Sequence, residues 1–262
     1  MQKDYKLKYE FLILTFRLFM ILISLTGILA PTQNTFWGQF WFFTLQTNML
    51  VIVITMLLII SQICKLCKIS NSIIFKSWLN LLHIASTFYI TITGVIYCFV
   101  LVPVAILTNN LISASLSYRD IFLHIFVPAL SIIDYFALND KIHISKSSAV
   151  LFLFYPFLYV LAIFSRAALG GSSFPGGSSY PYFFIDPTFN NQGWLPVIFY
   201  STLCLILFYL LALLYIYINN KLIDPKLLSH QKNDSNWVAF LIKFLICVDI
   251  MQKFVNEFAV AI

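Results

Sequence analysis

Charge is what this sequence has least of. Asp, Glu, Lys and Arg make up 10% of its 262 residues, against about 25% in an average soluble domain. So few charges cannot cover a water-exposed surface, which points to lipid as the main solvent. Cysteine is scarce and unpaired. Cys64, Cys67, Cys98, Cys204 and Cys247 are odd in number and lie in or beside apolar runs, which argues against a disulfide scaffold. Cys64 and Cys67 form a single C-x-x-C among lysines, with no second pair to complete a metal site. The net charge of +6 sits in short lysine clusters between apolar runs. A phosphate-binding surface gathers its cations on one face, so nucleic acid is not an expected partner.

What is present is length of apolar run. Six segments are long enough to cross a hydrocarbon core of about 30 Å at 1.5 Å per residue. They span about 11–30, 41–63, 78–107, 121–138, 149–168 and 195–218. The sequence therefore predicts an all-α, polytopic membrane helical bundle. The first run follows Lys3, Lys6 and Lys8 and imitates a signal peptide, but at 20 residues it exceeds the usual apolar core of about 7–15. It reads as a retained first helix. Lysines 3, 6, 8, 65, 68, 76, 141, 146, 221, 226 and 232 fall on one side by helix parity, and only Arg119 and Arg166 on the other. That asymmetry predicts both termini on the cytoplasmic side.

Two further segments stand out. The outer stretch from Gly170 to Trp194 holds five of the chain's eight glycines, four of them in its first part, and then turns aromatic and proline-rich. It reads as a mobile start followed by a structured cap, and long loops of this kind are often lids. Residues 1–234 read as the transmembrane domain. Residues 235–262 read as an amphipathic helix lying on the membrane surface, since Asp249, Lys253 and Glu257 recur every four residues.

Polar groups inside apolar segments are costly and each needs a reason. In the fourth segment Asp120, His124, Ser131 and Asp134 fall on one helical stripe, which must face the bundle interior or a wet cavity. Pro128 removes a backbone donor from the same segment. Thr44 and Asn48 share a face at the outer start of the second segment. Topology gathers Thr44, Asn48, His124, Arg166, Tyr180 and Asp186 at one depth, and places His83 near Asp134 in the inner half. Arg17 is expected to snorkel to the cytoplasmic surface. Each residue also has a structural reading, because membrane Thr often bonds its own helix backbone and His or Asn can tie helices together.

Three stretches carry a family likeness: FFTLQTNML, LHIFVPALSIID, and YPFLYVLAIFSRAALGG leading to SYPYFFIDPTF. They resemble the androgen-induced-protein family of multi-pass membrane proteins, and more closely its bacterial six-helix relatives. The resemblance implies a bacterial cytoplasmic membrane protein with a metal-independent lipid ester hydrolase activity and no cofactor. It implies Thr44 as nucleophile and His124 as base, with His124 preceding Asp134 by the family's ten positions. Asn48, Asp134, Arg166, Tyr180 and Asp186 would support them, Asn48 or Arg166 as oxyanion donors. The sequence departs from the family at Gln46, Thr47 and Asn48, and its proline follows the histidine one position early. Two rival readings use the same residues. One is a non-enzymatic transporter or lipid-binding protein, with membrane lipids as partners in either case. The other is a zinc hydrolase on His83, His124 and Asp134.

Overall fold

A computed structural model describes residues 2–30, 36–68, 73–107, 117–139, 141–171, 173–174, 177–191 and 193–223. The expected surface helix over 235–262, with Lys226 and Lys232, lies outside them, as does part of the glycine-serine stretch after Gly171. The described residues contain no strand. Six helices are long and apolar enough to span a membrane: α1 (Leu7–Leu29), α2 (Phe43–Leu66), α3 (Ser77–Leu107), α4 (Tyr118–Leu138), α5 (Lys146–Ala168) and α6 (Trp194–Lys221). All six expected spans are present, displaced by a few residues at most. The helical form follows from the solvent, because lipid offers backbone groups no partners and each span must satisfy its own.

The bundle is built around α3. Ile84, Phe88, Ile90 and Ile92 are fully enclosed, packed against α5 and α6 on one side and α1 and α4 on the other. Only 11% of the apolar window of α6 is buried, against 28–39% in the other five spans. Helix α6 is thus a peripheral stave with most of its surface facing lipid. Its last turn is the exception. Asn219 and Asn220 donate to the carbonyls of Ile142 and Ile144 at 2.7 Å each, clamping the segment between α4 and α5.

Two glycines let α4 approach closely. A Cβ at Gly27 of α1 would lie 2.6 Å from the Leu123 side chain. One at Gly94 of α3 would lie 2.9 Å from the His124 carbonyl oxygen. Small residues at such crossings allow the close contacts on which helix association in lipid depends. The spans also loosen locally into π-turns at Tyr97–Leu101, Phe122–Phe126 and Asp134–Leu138.

A buried ionic cluster ties the end of the bundle that carries the lysines. Arg17 Nε lies 3.0 Å and His83 Nε2 3.1 Å from the Asp134 carboxylate. Arg17 also donates to Gln62 at 3.1 Å, Gln62 donates to Glu10 at 2.7 Å, and Lys65 reaches Glu10 at 2.8 Å. The His83–Asp134 pair is as expected from sequence. The expectation for Arg17 is corrected: its side chain does not snorkel but is 4% exposed and points inward. An unpaired carboxylate in lipid costs more than burying a guanidinium beside it. Asp134→Ala is expected to cost about 3–5 kcal/mol by stranding two buried partners. The double variant Arg17→Met, Asp134→Leu should recover much of that loss. Thermal unfolding of the purified protein in detergent checks both.

Candidate functional site

At the other end of the bundle α2 begins abruptly. Phe42 is extended, with φ −80° and ψ 133°, and offers no side-chain cap. The N–H groups of the first turn must therefore find partners elsewhere. They find them in phenols: Tyr182 of the outer loop is hydrogen-bonded to the backbone of Phe43 and Thr44 and to the Thr44 side chain. Tyr159 of α5 bonds the Phe43 backbone and donates to the Trp41 carbonyl at 2.8 Å. Burial pushes the Tyr182 phenol up, against these hydrogen bonds, so at neutral pH it remains a proton donor.

Thr44 occupies the second position of this helix. Its Oγ1 lies 3.1 Å from His124 Nε2 on α4. The other imidazole nitrogen, Nδ1, is 3.0 Å from the Asp120 carbonyl oxygen and 3.9 Å from the Asp120 carboxylate. A carbonyl oxygen can only accept, so in the neutral ring Nδ1 carries the hydrogen and Nε2 presents its lone pair to the threonine. The ring is held flat by Tyr97, stacked at 4.1 Å with an interplanar angle of 16°. Tyr97 and His124 each sit in a π-turn, a distortion frequent at functional sites.

Two cavities meet at this pair. One of about 350 Å³ is almost wholly apolar, lies among α3, α5 and α6, and is lined by residues such as Ile96, Phe157 and Ile198. Phe157 and Ile198 are also 50% and 60% exposed on the outer, lipid-facing surface, so the cavity borders lipid. The other, about 320 Å³, is more polar and is lined by Gln39, Arg119, Asp120, Tyr97 and Phe183. Thr44, Leu101, His124 and Tyr182 line both and form the wall between them.

Of the residues singled out from sequence, Thr44, Asn48 and His124 come together. The role expected of Asn48 does not follow, because its amide donates to the carbonyls of Thr44 at 2.8 Å and Leu123 at 3.2 Å. It braces α2 against α4 and has no donor left for an oxyanion. Arg166, Tyr180 and Asp186 do not line either cavity; they shape the loop that delivers Tyr182. The Arg166 guanidinium lies over Trp41 at 5.2 Å and Phe174 at 4.5 Å and donates to the Ser179 carbonyl. Tyr180 packs edge-on against Phe164. Asp186 accepts from Ser178, from the Thr188 hydroxyl and from the Thr188 amide. Burial would raise its carboxyl, but these bonds hold it below the usual carboxylate range. Asp134 belongs to the opposite end, with Arg17 and His83. The zinc ligand set therefore separates: His83 meets Asp134 while His124 meets Thr44, and the described residues hold no group of three or more metal-ligating side chains.

Tyr97 and Arg119 are cavity-lining residues that sequence reasoning missed, whereas Tyr182 stood in the aromatic SYPYFFIDPTF stretch with no site role given to it. Arg119 carried a signal, as one of only two cations on its side. Tyr97 was hidden among fourteen tyrosines. A scan against protein-family models and searches against curated proteins and solved structures return no match.

Gly171 tests the loop's anchorage. A Cβ there would lie 2.7 Å from Arg166 Cγ and 3.0 Å from its carbonyl oxygen, so Gly171→Ala should lift the guanidinium from its aromatic seat. Amide hydrogen exchange across 177–191 is expected to accelerate several-fold, with exchange in α3 unchanged.

Proposed function

We propose that this chain is a lipid ester hydrolase of the membrane, in which Thr44 is the nucleophile and His124 the general base, and that it belongs with the androgen-induced-protein-like hydrolases it resembles. The observation that carries the reading is the 3.1 Å contact between Thr44 Oγ1 and His124 Nε2 in the wall shared by an apolar and a polar cavity. A threonine hydroxyl is a weak nucleophile unless a base lies within about 2.6–3.2 Å, and this one does.

The chemistry runs in two halves. His124 Nε2 takes the hydroxyl proton as Thr44 Oγ1 bonds to the ester carbonyl carbon. The carbonyl oxygen gathers negative charge beside the Tyr182 hydroxyl and the positive end of α2. The tetrahedral centre then expels the alcohol, which leaves with the proton from His124, and the acyl group stays on Thr44. Water loses a proton to His124, attacks the acyl carbon, and releases the fatty acid as Thr44 regains its proton. The Asp120 carbonyl keeps the imidazole in the tautomer that each step needs. An acyl chain suits the apolar cavity, and the alcohol portion the polar one.

Hydrolysis of long-chain fatty acid esters by the detergent-purified protein tests this directly. Thr44→Ala is expected to abolish turnover, Thr44→Ser to retain a measurable part, and His124→Ala to lower it by about 10²–10⁴-fold. Turnover untouched by these changes would favour the rival lipid-binding or transport reading. Gly94→Ala offers a subtler probe. The new methyl would press on the His124 carbonyl at 2.9 Å and push the base from its nucleophile, lowering kcat by roughly ten- to a hundredfold while far-ultraviolet circular dichroism stays the same.

A further inference from the structure

In each half of the proposed reaction His124 holds a positive charge for a time, and its own hydrogen bonds do little to support one. Nδ1 bonds the neutral Asp120 carbonyl. The Asp120 carboxylate stands 3.9 Å from the ring, beyond hydrogen-bond reach, and accepts from the Ser117 hydroxyl at 2.6 Å. Arg119 brings a like charge to the same cavity. Thr44 and Tyr182 face the site as neutral hydroxyls. Residues 18–29 of α1, which meet the Leu123–His124 turn at Gly27, contain no titratable side chain. In Ser-His-Asp hydrolases a carboxylate bonded to the imidazole stabilises the charged ring. Here what lies against the ring is Tyr97. It follows Gly94 by three residues, so both face α4. Gly94 admits the α4 backbone, and the Tyr97 ring lies flat on the imidazole at 4.1 Å and 16°. Tyr97 is 3% exposed, and its hydroxyl has no hydrogen-bond partner. Its face, then, is what it offers the site.

We infer that Tyr97 is a positioning residue for the hydrolysis: it fixes the imidazole plane toward Thr44 and, through its ring face, stabilises the imidazolium that forms at each proton transfer. The inference rests on the Thr44 and His124 hydrolase reading. An aromatic face is the negative side of the ring's quadrupole and attracts a cation set over it, most strongly where water is excluded. Neutral imidazole gains only from stacking, whereas imidazolium gains this attraction as well. The contact is therefore strongest when His124 holds the Thr44 proton, and an interaction that strengthens on the way to the transition state raises the rate. No bond forms or breaks at Tyr97. The proton passes from Thr44 Oγ1 to His124 Nε2 and on to the leaving alcohol, then from water to Nε2 and back to Thr44. Tyr97 acts on the charge that the ring carries in between.

The test replaces Tyr97 in the full-length protein, purified in detergent, by Phe and by phenylalanines bearing one, two or three ring fluorines. Fluorine keeps the shape of the ring while draining negative charge from its face. Tyr97→Phe should keep kcat within about twofold, because the hydroxyl it removes has no hydrogen-bond partner. Along the fluorine series kcat for a long-chain fatty acid ester should fall stepwise, by roughly tenfold in all, with KM nearly constant. A ring that serves only as packing gives one kcat throughout. That result, a change in KM alone, or a loss already complete in Tyr97→Phe overturns the inference. Nitrogen-15 NMR of the histidine rings, with His124→Asn to assign the signal, reads the same contact without turnover. If wild type hydrolyses no ester but the pH midpoint of the His124 signal moves with each added fluorine, the hydrolase reading falls and the ring-face interaction stands. A midpoint that stays fixed along the series removes that interaction too.

Discussion

A carboxylate with no access to water governs this bundle. Asp134 is 0% exposed, in a solvent that cannot hydrate it, and three helices supply what it needs: α4 carries it, α1 brings Arg17 and α3 brings His83. Gln62 adds α2 through its bond to Arg17. Such clusters contribute little net stability against an apolar replacement, but they do restrict which arrangements are tolerable. Rotating α4 by one residue would strand the charge. The same rotation fixes which face α4 presents at its other end, where His124 meets Thr44. The ionic cluster thus sets the angle at which the catalytic candidates face each other, though it touches neither.

The outer end is assembled differently, from close approach and from unpaired backbone. Gly27 and Gly94 let the Leu123–His124 turn press against α1 and α3. The uncapped start of α2 draws in the Tyr182 and Tyr159 phenols, and that requirement is what seats the outer loop over the site. Arg166 on its aromatic platform and Asp186 with its three donors hold the loop in the shape that keeps Tyr182 there. A group that first reads as catalytic is, on this account, the scaffold of one that is nearer the chemistry.

The architecture was legible in the sequence because the bilayer imposes a length and a hydropathy on every span, and because six apolar runs admit few alternatives. The Thr44 and His124 pairing followed from family likeness and matching depth. The pairing of His83 with Asp134 followed from depth alone. Three things were not legible. Arg17 was read by its distance from the helix end, whereas the deciding fact was the carboxylate facing it across the bundle. Asn48 was read as a free donor, but at a crossing where α4 comes this close its amide is consumed by backbone carbonyls. Tyr97 acts through a π-turn, which leaves no periodic trace, and the contact of Tyr182 with the start of α2 depends on a loop fold that its aromatic motif does not reveal. The stripe on α4 was counted at 100° per residue, and the π-turns at Phe122–Phe126 and Asp134–Leu138 depart from that count. Asp120 and His124 share a site while Asp134 serves another because the ten-residue step from His124 to Asp134 sets them about 15 Å apart along the axis.

The wall between the two cavities is one side chain thick at Thr44, and it has a consequence for traffic. Under the proposed chemistry an amphiphile cut at that wall falls into two unlike pieces already standing on opposite sides of it. The fatty acid is in a chamber bordering lipid, and the alcohol is in one lined by charge. Each fragment has its own exit, down its own gradient of solubility, and neither needs to pass the other. Departure of each fragment into its own phase keeps both products scarce at the wall and so opposes reversal by mass action.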